Sequence, residues 1–368
     1  MSPDHVLLAT QPGGWQGSAA MSKTAPQTIA QWTATVRDPL WHAHRYDAAQ
    51  DAFQFRHVPR DAHRKAAFLT DEYLGADPQT VAIARSDVLS ALPDRAPMHF
   101  VFHSAFCAST MLVRALDTPG LAMGLSEPVV CNDIVGWRWR GAERRQVAAV
   151  LDASLALLQR PFGPGEAVVV KPSNIFNPLI GAAMALRPEA RAVLLYAHLP
   201  VFLASVARKG LWCRLWAREL VEGQLREGIV DLGFGPNDYF RQSDLQVAAM
   251  GWLVQHRLFG QVAQQLGAAR IATLDSETLT ARKADCLVAL SQHFGLSQDP
   301  GLRAAMLSNP ALVSHSKFGQ DFSLQDRAAE QEFARRAYGE EIDKVHAWAL
   351  EVARVNGIAI ELPHALRV

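Results

Sequence analysis

Four short apolar runs, at residues 98–102, 167–171, 191–196 and 270–274, alternate with longer stretches patterned for helix at 143–160, 176–186 and 242–267. Such alternation predicts an α/β chain in which a parallel sheet carries helices on both faces. Ligands of such sheets bind outside the carboxyl ends of the strands. The first run, Met98-His99-Phe100-Val101-Phe102, is bounded upstream by Pro93 and Pro97, as a short buried strand would be. Small and polar residues follow from His103 to Cys107. Ser109 and Thr110 then offer an N-cap to a helix with Met111, Leu112, Ala115 and Leu116 at helical spacing. Backbone N–H groups at a helix start lack intrahelical partners and lie at the positive end of the dipole, so strand, hydroxyl-rich loop and helix together predict a phosphate or sulfate site. No Gly-Lys-Ser/Thr follows, which disfavours a nucleoside triphosphatase of the Walker type.

Residues 1–27, rich in Gly, Ser, Pro and Gln, are expected to form a flexible leader. Their only apolar run, Val6 to Ala9, is too short for a secretory core and has no Lys or Arg before it. Residues 28–90 form the expected N-terminal cap, small and helical or mixed, with a turn at 47–51, a half-buried strand at 53–58 and mostly helical pattern from 60 to 90. Residues 91–368 make up the α/β domain. The 36 basic and 36 acidic residues balance, which argues against nonspecific nucleic-acid binding as the main activity. Four cysteines, Cys107, Cys131, Cys213 and Cys286, lack paired metal-ligand spacing and suit reduced thiols in a cytoplasmic protein. The most apolar stretch, Ala192 to Ala207, is interrupted by His198 and Pro200, so no membrane span is expected.

The loop resembles the 5′-phosphosulfate-binding loop of the sulfotransferase family. The family's hydroxyl pair is matched at Ser109 and Thr110, while its first glycine, its cation and its second glycine are replaced by His103, Phe106 and Ala108. Later segments resemble the family in order and spacing: Leu125-Ser126-Glu127-Pro128, the strand ending at Lys171-Pro172-Ser173-Asn174, the strand running from Arg191 through Pro200 to Ser205, the acidic turn at 275–279, and Leu312 to Phe318. The match spans about residues 98–323. It implies a P-loop-type fold that transfers a sulfuryl group from 3′-phosphoadenosine 5′-phosphosulfate, without a metal, to a small hydroxyl or amine acceptor.

By this resemblance Glu127 is the candidate general base and Lys171 neutralises the transferred group; His103, where the family has glycine, is a candidate acid or base from its place next to the loop. Ser104, Cys107, Ala108, Ser109 and Thr110 line the 5′-phosphate loop. His198, Ser205 and Arg208 face the 3′-phosphate, and Lys317 closes over the nucleotide. Simpler roles exist for each: Glu127 as a surface or capping residue before a proline, Ser109 and Thr110 as helix caps, and His103 and His198 as hydrogen-bonded core residues. Lys171 is the exception, because a lysine ending an apolar strand is costly to bury without an anion. A catalytically altered relative serving as a ligand-binding or protein-interaction module is the alternative, favoured by Phe106 in the cation position. Oligomerisation is left open. His42, His44, His57 and His63 match no familiar zinc pattern, Trp137-Arg138-Trp139-Arg140 reads as a solvated or cleft-lining strand, and residues 211–240 suit either an aromatic lid or an ordinary loop with a packed helix. Residues 325–355 read as a charged helix.

Overall fold

The computed structural model describes residues 28–75, 79–312 and 324–368, with backbone alone over 324–331. Its centre is a five-stranded parallel sheet of β4 (Met98–His103), β5 (Ala122–Ser126), β6 (Ala167–Lys171), β7 (Ala192–Tyr196) and β8 (Ile271–Asp275). The spatial order is β5-β6-β4-β7-β8. The first strand of this sheet, β4, is therefore central, with the chain leaving it toward β5 on one side and returning past it to β7 on the other. All six residues of β4 are buried, because parallel strands are covered on both faces and need no polar alternation.

The two faces still separate with a period of two. Val101, Val169, Val193 and Leu195 pack with the helices Ser109–Leu116 and Leu199–Arg208. Phe100, Phe102, Val168, Val170 and Leu194 pack on the opposite side with the helix Arg144–Leu158 and with Phe53 and Phe55 from the N-terminal cap. Against the first face lies the long helix Asp244–Leu266, started by a reciprocal capping box between Ser243 and Gln246 and ended at Gly267. Both sheet edges are covered, as exposed edges invite pairing with other chains. On β8, Thr273 N–H donates to His364 O and Leu366 N–H to Thr273 O. On β5, Leu69 N–H donates to Ser126 O at 2.8 Å.

The cap is mixed. Its antiparallel sheet has the order β1 (Trp41–Asp47), β2 (Ala52–His57), β3 (Thr80–Ala84). β3 corrects the mainly helical expectation for 60–90, where the helices span Arg60–Lys65, Asp71–Leu74 and Arg85–Ala91. Cap and sheet share one apolar cluster. They are also joined by the buried Arg160 guanidinium, which donates to the carbonyls of Val36 at 2.7 Å, Asp38 at 3.1 Å and Trp41 at 2.8 Å. Burial pushes its pKa down to about 10.

Trp137 to Trp139 end the helix Val129–Trp139, with Arg140 as its C-cap, so this stretch is helical and not a strand. Residues 211–226 form the helix Leu211–Arg226, and a short turn of helix spans Asp238–Phe240, which favours the packed-helix reading of 211–240. The charged C-terminal helix spans Leu324–Val355. Among the described residues, no helix is long and apolar enough to cross a membrane. The leader at 1–27 lies outside the described residues.

Candidate functional site

The site forms where β4, β5 and β6 end. After His103, the chain makes a tight loop in which Ala105, Phe106 and Ala108 all take left-handed backbone angles, with φ of 72°, 52° and 63°. Non-glycine residues adopt this region at a cost of roughly 1–2 kcal/mol each, and such strain concentrates where backbone groups must face a ligand. Ala108 is itself the N-cap of the helix Ser109–Leu116, and no side chain caps that helix. The sequence expectation that Ser109 and Thr110 supply the cap is therefore corrected: both lie inside the first turn and are buried. An αL N-cap with a methyl side chain offers the first turn no side-chain acceptor, so beyond the Ser109 backbone, which bonds the Cys107 sulfur, its N–H groups are left to whatever the loop encloses.

The other loop residues are held from outside. Ser104 N–H donates to Leu195 O at 3.1 Å, and its hydroxyl accepts from Ala197 N–H at 3.4 Å. The Cys107 thiol is buried beside Ser109, and desolvation pushes its pKa up to about 11, so it is a neutral packing group. Asn177 donates to His103 O at 3.0 Å and to Gln255 at 2.8 Å, fixing the end of β4. Phe106 packs between Phe202 and Trp216, with ring centroids 5.7 and 5.3 Å away. Lys209 brings its ammonium to 5.3 Å from the Phe106 ring and 5.7 Å from Trp212. A cation from a neighbouring helix thus stands over the loop position that carries none of its own.

Lys171 and Glu127 form the charged centre. The Lys171 side chain is fully buried at the end of β6, and its ammonium donates to Glu127 Oε1. The Phe68 ring lies 5.0 Å from the same ammonium, giving it a second electrostatic partner. Glu127 follows β5 with φ of 49°, and its N–H donates to Lys171 O at 2.7 Å, so backbone and side chain both tie it to β6. Its side chain is 14% exposed, so unlike Lys171 it is not sealed from solvent. His103 Nε2 lies 3.8 Å from the same carboxylate oxygen. Because His103 Nδ1 accepts from Ala105 N–H at 3.1 Å, the neutral ring carries its proton on Nε2, the atom facing Glu127.

The structure therefore brings together Ser104, Cys107, Ala108, Ser109, Thr110, His103, Lys171 and Glu127. His198 stands apart. It is half-exposed at the start of the helix Leu199–Arg208, with Nε2 3.7 Å from Asp275 and 3.8 Å from Glu277. Ligating atoms of these three residues lie within 4.8 Å of one another, as a metal site requires, but half-exposed acidic groups often cluster without an ion. A phosphate beside His198 would meet two like charges. Ser205 donates its hydroxyl to Val201 O at 2.9 Å within its own helix, and Arg208 ends that helix. Lys317 lies outside the described residues.

Sequence reasoning did not find Phe68 or Tyr73. The two rings meet edge-on at 5.0 Å, and burial followed by the charges of Glu72 and Glu127 pushes the Tyr73 pKa up to about 12. Both belong to the cap, and nothing in their local pattern marks them as neighbours of Lys171 or Glu127. Asp275 and Glu277 stood in the acidic turn but were not linked to His198.

No family model and no curated protein matches the chain. Among solved structures, it is similar to the sulfotransferase domain from the curacin biosynthetic pathway, with 15% identity over 67% of this chain and 98% of that one, and a TM-score of 0.40. It is also similar to sulfotransferase STF1 from Mycobacterium tuberculosis, with 16% identity over 67% of this chain and 77% of that one, and a TM-score of 0.38. Sulfotransferase STF9 from Mycobacterium avium shares 11% identity over 68% of this chain and 77% of that one, with a TM-score of 0.41. At these values the fold rests on the strand order and the function on the site's own chemistry.

Proposed function

We propose that the chain is a sulfotransferase-like enzyme that moves a sulfuryl group from 3′-phosphoadenosine 5′-phosphosulfate to a small hydroxyl or amine acceptor. The observation that carries this reading is the uncapped, left-handed loop at the end of the central strand, beside a fully buried lysine paired with a partly exposed glutamate. An anion-binding loop and a cation–base pair together suit transfer of a charged group, since one neutralises charge and the other takes up a proton.

In this reading the acceptor oxygen or nitrogen bonds to sulfur as the bond from sulfur to the 5′-phosphate oxygen breaks. The acceptor's proton passes to the Glu127 carboxylate, and 3′-phosphoadenosine 5′-phosphate leaves. Lys171 orients Glu127 and lends positive charge to the transferred group. The N–H group of Thr110 faces the leaving phosphate, with Ser104, Ser109 and the Cys107-Ala108 backbone shaping the loop. His103, protonated on Nε2, faces the same carboxylate and steadies its charge. Lys209 stands in for the cation that Phe106 displaces. Soluble, cytoplasmic operation on a small-molecule acceptor accompanies this proposal.

Calorimetric titration with 3′-phosphoadenosine 5′-phosphate tests it without knowledge of the acceptor. Saturable binding is expected, weakened by Lys171→Ala, and ligand at about 100 times its dissociation constant should add roughly 2.7 kcal/mol of stability. A folded protein that ignores millimolar ligand would overturn the reading and turn attention to the non-catalytic alternative.

A further inference from the structure

A second pocket lies beside the C-terminal half of the loop helix, and no step proposed above uses it. It encloses about 170 Å³ among Arg64, His63, Arg114, Asp117, Ser126 and Asn309, with Leu69, Val113 and Ala311 supplying an apolar wall. A cavity of about 150 Å³ with an apolar lining takes a benzene-sized guest. Here the size is similar but one end is polar.

Two groups at that polar end are deeply buried without hydrogen-bond partners. They are the Ser126 hydroxyl and both ring nitrogens of His63, whose residues are 6% and 5% exposed; His63 is shared with a neighbouring cavity lined by His42 and Phe162, so Ser126 is the unpartnered group that belongs to this pocket alone. Buried polar atoms in folded proteins are nearly always satisfied, so such groups on a pocket wall point to a polar guest. Two guanidiniums, those of Arg64 and Arg114, line the pocket against one carboxylate, Asp117, so the balance on its wall is positive and an anionic guest meets more attraction than repulsion. The Arg64 Nε lies 3.4 Å from Asp117 Oδ2, and its Nη2 donates to Asp117 O at 3.4 Å, both long contacts for a guanidinium that prefers a closer, two-pronged oxyanion. His63 is neutral near pH 7, since burial pushes its pKa down to about 4, so it adds a hydrogen bond but no charge.

We propose that this pocket binds a small monocarboxylate of about ring size, its carboxylate on Arg64 and the Ser126 hydroxyl and its apolar body against Leu69, Val113 and Ala311. None of the pocket's lining residues is Lys171 or Glu127, yet Ser126 directly precedes Glu127 and Val113 belongs to the helix that starts at the anion loop. A bound carboxylate would thus touch both elements that frame the proposed donor site. The binding claim stands independently of sulfuryl transfer.

The test is calorimetric titration of the full chain with benzoate, beside benzyl alcohol and benzylamine as neutral and cationic molecules of the same body. Benzoate should bind saturably with a dissociation constant on the order of 1 mM or tighter, and the two controls at least about tenfold more weakly, the scale of one charge-assisted contact. Arg64→Gln should weaken benzoate about tenfold and leave benzyl alcohol unchanged. Ser126→Ala removes a hydroxyl without a partner, so it should fold normally and weaken benzoate several-fold; it carries the test if Arg64→Gln fails to fold. Equal binding of the three compounds, no saturation by benzoate, or benzoate binding indifferent to both substitutions would overturn the proposal.

Discussion

Separating the two halves of the Lys171–Glu127 pair should expose an asymmetry that follows from burial. The lysine side chain is fully buried, whereas the glutamate side chain is 14% exposed. Glu127→Ala strands an ammonium in the interior, a change that typically costs 3–5 kcal/mol. The Phe68 ring at 5.0 Å offsets part of this, by about 0.5–2 kcal/mol, so a loss of about 3 kcal/mol is expected. Lys171→Met leaves a carboxylate that reaches water and faces His103, and the methionine stem keeps the packing; about 1–2 kcal/mol should be lost, within the usual range for a partly solvated hydrogen-bonded group. In the double variant neither charge is left alone, and its cost should fall short of the sum of the single costs by about 1–3 kcal/mol. Urea denaturation followed by tryptophan fluorescence measures all four proteins, provided that the slopes agree. A larger loss for Lys171→Met than for Glu127→Ala, or additivity to within about 0.5 kcal/mol, would refute the reasoning that burial decides which partner depends on the other.

Gly124 lets β5 approach the loop helix, for a Cβ there would lie 2.5 Å from Val113 O and 3.1 Å from Asp117 Cβ. Gly124→Ala should therefore cost about 2 kcal/mol and weaken nucleotide binding; unchanged stability in thermal or urea melts would contradict this close packing. Stability should also fall in mild acid. Burial holds His63, His99 and His256 near a pKa of about 4, against 6.5 for the free side chain, so the stability they contribute is complete above pH 6.5 and is lost as pH falls toward 4. Asp117 acts oppositely, because burial raises its pKa from 3.8 to about 6 and its contribution is lost as pH rises through that window. His42 and His293 are lowered too, and Asp133, Glu72 and Glu219 raised, so among the described residues five histidines oppose four carboxyls; Asp117→Asn should make the acid loss steeper, and a urea midpoint that stays flat or rises from pH 6.5 to 4 would count against these burial effects.

The central sheet was legible where strands are fully covered. β4, β6, β7 and β8 read as mainly apolar runs because both faces are dry. β5, with the sequence Ala-Met-Gly-Leu-Ser, was not read as a strand, since Gly124 and Ser126 dilute the pattern for reasons of close approach that only the neighbouring helix reveals. β3 is five residues long and lies between helical stretches, where local periodicity gives it little voice. The left-handed loop was hidden for a different reason: Ala105, Phe106 and Ala108 hold angles that sequence reasoning reserves for glycine. Contacts such as Phe68 on Lys171, or Asp275 and Glu277 on His198, join segments far apart in sequence, and no single-window pattern reports them.

Arg160 also imposes an order of events on synthesis. Its guanidinium closes the carbonyls of Val36 and Trp41, residues that leave the ribosome 124 and 119 positions earlier. At roughly 5–20 residues per second, the young cap waits about 6–25 s for its fastener. During that interval Val36, Phe53 and Phe55, all fully buried in the finished protein, lack the later strands β6 and β7 of the cluster they share. Until residue 160 emerges, that apolar surface is open to a holding chaperone.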